Sequence, residues 1–341
     1  MPRQSVFFLI DTQGANCVSC YSGNPELRTP NIDRLASEGV RFDRAYTCSP
    51  VCGPARSAIM TGLYPHANGV MANDQAPHAD LPSIGQRLRK EGFATGYVGK
   101  WHLDGSDYFG DGRCAEGWDP ECWFDGRNYL NSLPDDHARS ISRLVHNADD
   151  VKANGITEDF THAHRIADRA RVFIEAHRDE DFFLVVSIDE PHHPFICPEP
   201  FVSSFDDFEF SLGATGDDDL SKKPRSQQEW AAHFSAGHEK LERREGGLVY
   251  KNPNYFACNS YSDYEVGRVI EAIDSHAPSS MVVYTSDHGD MFHRHKLNGK
   301  GPAAYEEISR IPFIVRWPEG APAGAVSESP VSHIDLVPTF L

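Results

Sequence analysis

Two cysteines four residues apart, Cys48 and Cys52, stand in the stretch CSPVCGPARSAIMTG. Each has a proline two residues on, but only Cys52 has an arginine, Arg56, four residues on; the same offset from Cys48 lands on Cys52. Pro54 suits the first turn of a helix with RSAIMT as its body and Gly62 as its end. Cys52 then lies at a helix N-terminus, where unpaired N–H groups and the dipole favour an anion and lower a thiol's pKa. Arg56 follows about one turn along the same face. Taken alone, these residues also describe a buried structural cysteine beside a surface arginine. By count, Cys17, Cys20, Cys48 and Cys52 are also enough for a four-cysteine zinc site. Cys114, Cys122, Cys197 and Cys258 show no metal spacing.

Such groups need a scaffold, and the chain supplies alternating apolar runs and helical patterns. Strands are predicted at 6–10, 93–99, 182–189, 281–288 and 311–318, several apolar on both faces as covered central strands are. Helices are predicted from Thr29 to Gly39, Ser83 to Glu91, Thr161 to His177 and Tyr255 to His276. This alternation indicates an α/β fold, a large mixed sheet with helices on both faces. Ligands of such sheets bind beyond the carboxyl ends of the strands. Polar residues gather there: Asp11-Thr12-Gln13, then Lys100 and His102, then Asp189 to His193, then Asp287-His288. Segment 201–250, acidic and aromatic and then highly charged, reads as a surface insertion within one domain spanning 1–341.

The chain has 341 residues and a formal net charge of −18, which opposes general binding to polyanionic nucleic acid or membrane surfaces. The run VFFLI after Ser5 is too short for a signal core or a membrane span, so the expected location is cytoplasmic. Eight cysteines in that compartment are expected free, metal-bound or catalytic. SHIDLVPTFL starts an apolar helical pattern that stops at Leu341 without a cap, so a C-terminal portion is expected beyond it.

The stretch CGPARSAIMTG, Cys52 to Gly62, resembles the signature of the type I sulfatases, Cys-x-Pro-x-Arg followed by Thr-Gly. SPVCGPARSAIMTGLYPH, VGKWH, EPHHPF, YTSDHGDM and KGPAAYEEISRIPFIVRWP follow in the family's order over the whole chain. The nearest resemblance is to bacterial cytoplasmic-type sulfatases with Asp-Thr-Gln after the first strand. It implies an alkaline-phosphatase-like fold with a small C-terminal subdomain. It also implies oxidation of Cys52, and not Cys48, to Cα-formylglycine by a formylglycine-generating enzyme. A hydrate hydroxyl of that residue attacks sulfur and forms a covalent sulfo-enzyme. The second hydroxyl allows the elimination that releases sulfate, which a serine could not do.

The resemblance assigns roles residue by residue. Asp11, Asp287, His288 and residue 52 form the metal shell, with Gln13 replacing a carboxylate absent here. Oxygen donors suit Ca²⁺ or Mg²⁺, and the imidazole admits Mn²⁺. Lys100 contacts formylglycine and a sulfate oxygen; His102 holds the hydrate hydroxyl. His192 faces the ester oxygen, Lys300 binds sulfate and protonates the leaving group, and Arg56 orients the aldehyde. Asn73 is a further candidate for substrate binding. Lys296 is the alternative to Lys300, and His193, His293 and His295 are secondary candidates. Each lysine or histidine alone reads equally as a solvated or satisfied side chain.

Loop 107–130 follows this cluster with Tyr108, Phe109, Trp118, Trp123, Phe124 and Asp125. Aromatic faces and carboxylates suit sugar rings; a loop packed on its own aromatics explains the same composition. The expected substrate is a small sulfate ester such as a sulfated sugar, because a sulfated polymer would be repelled by the surface. Two alternatives stand beside it. One is a phosphonate or phosphate monoester hydrolase of the same superfamily; the other is a silent binding protein with unconverted Cys52. The sequence does not specify an oligomeric state.

Overall fold

The computed structural model describes residues 3–136, 138–139, 148–233, 240–301 and 303–341. In chain order its main elements are β1 (Gln4–Ile10), α1 (Pro30–Glu38), β2 (Val40–Phe42), α2 (Cys52–Thr61), α3 (Ile84–Lys90) and β3 (Ala94–Gly99). Then come α4 (His162–Ala176), β4 (Phe182–Ile188), α5 (Pro253–His276), β5 (Met281–Ser286), β6 (Phe313–Arg316) and β7 (Ala325–Ser327). The seven strands form one sheet in the order β7-β2-β6-β5-β1-β4-β3. β3, β4, β1 and β5 run parallel, and β6 is antiparallel to both its neighbours.

Both faces of the sheet are covered, as the apolar runs require. Val6, Phe8 and Ile10 of β1 join one core with α1, α4 and α5; Phe7 and Leu9 join the other with α2 and α3. This is the period-two alternation of a strand, buried on both sides.

The register of the sheet fixes the site. Ile10 pairs with Ile188 on one side and with Ser286 on the other. The next residue of each strand is an aspartate, so Asp11, Asp189 and Asp287 emerge side by side. Backbone bonds hold them there, from Asp11 N–H to Ile188 O at 3.1 Å and from Asp287 N–H to Ile10 O at 3.2 Å. β3 ends on Gly99, whose φ of +107° and contact with Ser187 O exclude a side chain. Lys100 follows it into the same row.

Segment 201–250 carries a three-stranded sheet (Phe210–Ser211, Gly247–Tyr250, Leu241–Arg244) and a helix, Arg225–His233. It packs against the loop that carries Lys300: Trp230 donates to Asn298 O at 3.0 Å, and Leu220 lies with Met291, Leu297 and Ile308 in a small core. Among the described residues no helix is long and apolar enough to cross a membrane.

Candidate active site

Helix α2 begins on Cys52 and is buried along its whole length. Its N-cap, Val51, has no side chain to cap with, and Asn73 Oδ1 accepts from Gly53 N–H instead, at 2.9 Å. Asn73 is therefore seated beside residue 52 as a cap, whatever its amide NH2 does toward substrate. At the other end Gly62 adopts φ +71° against Val337, which closes the helix.

Cys52 Sγ marks the position from which an oxygen of a converted residue would project. It lies 2.7 Å from Lys300 Nζ, 3.2 Å from His288 Nε2 and 3.8 Å from Asp11 Oδ1. Burial and the Asp11 carboxylate oppose ionisation of this thiol. Lys300, Lys100 and His288 outweigh them and hold its pKa well below the ordinary value. By contrast, Cys48 lies 3.4 Å from Ser332 Oγ with no lysine beside it among the described residues, and burial pushes its thiol up. The two cysteines of the motif thus stand in opposite electrostatic surroundings. All eight cysteines are free, and Cys17, Cys20 and Cys48 form no ligand cluster with Cys52. The four-cysteine zinc reading is thereby corrected.

Arg56, on the inner face of α2, is 1% exposed. It donates from Nε to Asp287 Oδ2 at 3.0 Å and from an Nη to Asp11 Oδ2 at 3.1 Å. The other Nη reaches Lys100 O at 2.7 Å and Ser187 Oγ at 2.8 Å. Burial opposes its charge, but Asp287 and Asp11 more than compensate. It is a buried tie between strand ends, not the surface arginine of the bland alternative.

Asp11, Cys52, Asp287 and His288 offer ligand atoms that all lie within 4.8 Å of one another. His288 Nδ1 is 2.9 Å from Gly289 O, which assigns the proton to Nδ1 and leaves the Nε2 lone pair facing the cluster. Burial, then Asp11, raise the Asp287 pKa against the opposing pull of His288 and Arg56. Two carboxylates, an imidazole lone pair and an oxygen on residue 52 fit a divalent cation. Gln13 does not complete this set. Its Nε2 donates to Asn259 Oδ1 at 2.7 Å and its Oε1 accepts from Tyr284 OH at 2.6 Å, so both ends of the amide are engaged elsewhere.

Lys100 Nζ sits 2.7 Å from Asp11 Oδ2, 3.2 Å from Asp189 Oδ1 and 3.6 Å above the Tyr108 ring. These are ionic and cation–π contacts; neither carboxylate is aligned for a hydrogen bond. Tyr108 OH donates to Asp189 and lies 2.9 Å from His192 Nδ1. His192 Nδ1 is also 2.8 Å from His193 O, so it carries the proton and Nε2 is the nitrogen available to a reacting group.

His102 follows Lys100 into the loop after β3. Its Nε2 pairs with Asp74 Oδ1 at 3.2 Å, and no bond joins it to Cys52. Lys296 is not at the cluster, whereas Lys300 is. His295 pairs with Asp218 at 2.9 Å and His293 stacks on Tyr250, so neither joins the cluster; His193 packs on the His192 ring.

The loop after β3 divides between both readings. Trp118 and Trp123 are buried against Tyr97 and Trp101, and Asp125 caps the helix Gly126–Ser132. Only Tyr108 reaches the reactive groups. Sequence reasoning gave no role to Asp74 or Ser187, and named Tyr108 only among the loop aromatics suited to a sugar ring and Asp189 only among the polar strand ends. Asp189 had a signal, its place at the end of a strand beside Asp11 and Asp287; Asp74, in an irregular loop, had none.

The Sulfatase family profile matches residues 3–341. The chain is 46% identical over 339 residues to the protein named uncharacterized sulfatase YidJ of Escherichia coli (strain K12), covering 98% of this chain and 66% of that one. It is 27% identical over 402 residues to the N-acetylglucosamine-6-O-sulfatase of Bacteroides thetaiotaomicron, again covering 98% and 66%. The chain therefore spans just under two thirds of the length of these relatives. Among solved structures, the phosphonate monoester hydrolase SpPMH from Silicibacter pomeroyi shares the fold, with a TM-score of 0.74 at 22% identity over 99% of this chain and 72% of that one.

Proposed function

For a chain that belongs to the sulfatase family and carries this site, we propose hydrolysis of a sulfate monoester, with residue 52 as the point of attack on sulfur. The observation that supports it best is the position of Cys52 Sγ, 2.7 Å from Lys300 Nζ at the start of a buried helix and inside the candidate metal cluster.

Converted to formylglycine by a formylglycine-generating enzyme, residue 52 supplies a nucleophilic hydroxyl and a route for sulfate release. A divalent cation, Ca²⁺ or Mg²⁺ with Mn²⁺ admissible, supplies positive charge and a more acidic hydroxyl when held by Asp11, Asp287 and His288. The chain's own residues do the rest. Lys300 and Lys100 flank residue 52 and place positive charge where negative charge grows on the sulfuryl oxygens. Arg56 holds Asp11 and Asp287 at fixed spacing. His192, its Nδ1 proton anchored on His193 O and Tyr108, directs Nε2 toward the leaving oxygen as the proton donor or acceptor. His102, which follows Lys100 by two residues, holds the second hydrate hydroxyl of residue 52 and takes its proton in the elimination.

The relative named an N-acetylglucosamine-6-O-sulfatase supports a sulfated sugar as the substrate class. The net charge of −18 favours a small one over a long polyanion. The fold is shared with a phosphonate monoester hydrolase, so the test compares kcat/KM on an aryl sulfate and an aryl phosphonate, using converted, cation-loaded protein. A preference for the sulfate is expected. A preference for the phosphonate would reassign the ester, and no turnover of either would leave a binding protein.

A further inference from the structure

Lys300 reaches residue 52 from a loop of unusual backbone. Phe292, His293, His295 and Lys296 all take positive φ, of 45°, 63°, 53° and 57°. That conformation costs free energy at every residue with a β-carbon, and it persists where the surroundings over-determine it. Bonds within the loop hold its near half. Asp290 Oδ1 accepts from Phe292 N–H at 2.9 Å and from Gly299 N–H at 3.2 Å, and Met291 N–H donates to Gly299 O at 2.9 Å. Lys300 lies beyond these bonds.

Segment 201–250 braces the loop along its length. Asp218 Oδ2 lies 2.9 Å from His295 Nδ1, Ser211 O accepts from Arg294 at 3.0 Å, and Gln227 Oε1 accepts from Tyr305 OH at 2.7 Å. Phe210 packs on Phe292 and Tyr250 on His293, with ring centroids 5.6 and 4.9 Å apart. Trp230 brackets Lys300 itself. Its Nε1 donates to Asn298 O at 3.0 Å, two residues before the lysine. Its six-membered ring lies against Gly301, one residue after, where an added β-carbon would stand 3.3 Å from Cη2. One indole thus fixes the main chain on both sides of Lys300. The ammonium sits at the end of a flexible four-carbon stem, 2.7 Å from Cys52 Sγ and 3.5 Å from Thr12 Oγ1. Where the stem starts decides whether it arrives there, and a misplacement of about 1 Å is enough to slow a reaction severely.

We propose that segment 201–250 is a clasp for the Lys300 loop, and that Trp230 is a positioning residue that sets the Lys300 ammonium at residue 52. The kinetic part of this inference rests on the sulfatase reading; the placement of Lys300 does not.

The test is a mutant cycle on converted, cation-loaded protein, with crystal structures of wild type and Trp230→Ala. Trp230→Ala should lose about ten- to hundredfold in kcat/KM on an aryl sulfate, the range seen when a partner that orients a reacting group is removed. Trp230→Phe, which keeps a ring and loses the N–H, should lose less; it carries the same cycle if the Ala variant does not fold. In a Lys300→Gln background either change should alter kcat/KM by less than about twofold, because the group being positioned is gone. A merely structural role would give the same loss in both backgrounds. In the crystal, Lys300 Nζ of the Ala variant should stand about 1 Å or more from its wild-type position. Equal losses in the two backgrounds, or an unmoved Lys300, would overturn the proposal. A wild-type enzyme that turns over no sulfate ester, with Lys300 still displaced in the Ala variant, would refute the functional reading and bear out the clasp.

Discussion

Replacing Arg56 by lysine tests whether the buried guanidinium holds the strand ends together. The change keeps the charge and removes the fork. A lysine ammonium on the same helix can meet Asp11 or Asp287 but lacks the planar reach to serve both. Lys100 O loses little, because Tyr97 OH and Ser187 Oγ also donate to it, at 2.6 and 2.8 Å. Asp11 keeps Lys100 at 2.7 Å, so the cost falls mainly on Asp287, whose ion pair with the guanidinium is lost. Breaking a buried ion pair by removing one partner costs about 3–5 kcal/mol. Unfolding entropy of about 2.1 cal/mol/K per residue over 341 residues gives roughly 0.7 kcal/mol/K, so Tm should fall by about 4–7 °C. Arg56→Leu, which leaves Asp11 to Lys100 alone and Asp287 without its guanidinium, should fall further. Differential scanning calorimetry with and without added Ca²⁺ or Mg²⁺ measures both, and the deficit should shrink with the cation, which also neutralises Asp11 and Asp287. A lysine variant melting within about 1 °C of wild type would refute the reasoning, because the ties would then be redundant.

Three further outcomes follow from the same geometry. Lys300→Gln should lower kcat/KM on a sulfate ester by about 10²–10³-fold with little change in Tm, while Lys296→Gln should leave the rate unchanged; equal effects would deny Lys300 its place beside residue 52. Glu190, facing Asp189, Glu265, His162, Tyr129, Tyr261 and Cys258, has its pKa raised from an ordinary value near 4.5 to about 8. The native state therefore keeps the proton longer, and the stability tied to it is complete below about pH 4.5 and lost as pH rises through 8. Wild type should lose up to about 1.4 kcal/mol per pH unit relative to Glu190→Gln across that window, and a flat difference in chemical denaturation from pH 5 to 9 would contradict the shift. Stripping divalent ions with a chelator should lower Tm by about 4 °C relative to protein at a hundredfold excess of cation over Kd, from about 2.7 kcal/mol of linkage; an unchanged Tm would remove the metal from the account.

Much of the fold was legible because the central strands are buried on both faces and read as unbroken apolar runs. The helices of the outer layers carried caps and glycine stops that located them to within a residue or two. The short strands β2 and β7 were not legible, since three residues are too few to show a pattern of their own. The cluster was legible through motif order, and the register of Ile10, Ile188 and Ser286 explains why polar strand ends were the right place to look. Side-chain direction was not. Gln13 follows Asp11 closely in sequence yet turns to Asn259 and Tyr284, and His102 turns to Asp74. Both depend on loop backbone that no local periodicity encodes: Thr12 and His102 each adopt φ of 59°, a left-handed conformation rare for such residues. Aromatic content alone likewise could not separate Tyr108, which reaches the site, from Trp118 and Trp123, which fill the core.

The central claim is that residue 52 is the modified, reacting residue. Mass spectrometry of the tryptic peptide Ala45–Arg56, from protein co-expressed with a formylglycine-generating enzyme, tests it directly. The account expects the CH2–SH of position 52 to have become CHO while Cys48 stays a thiol. Two intact thiols in that peptide would contradict it, since the Lys300, His288 and Asp11 cluster would then surround an ordinary cysteine.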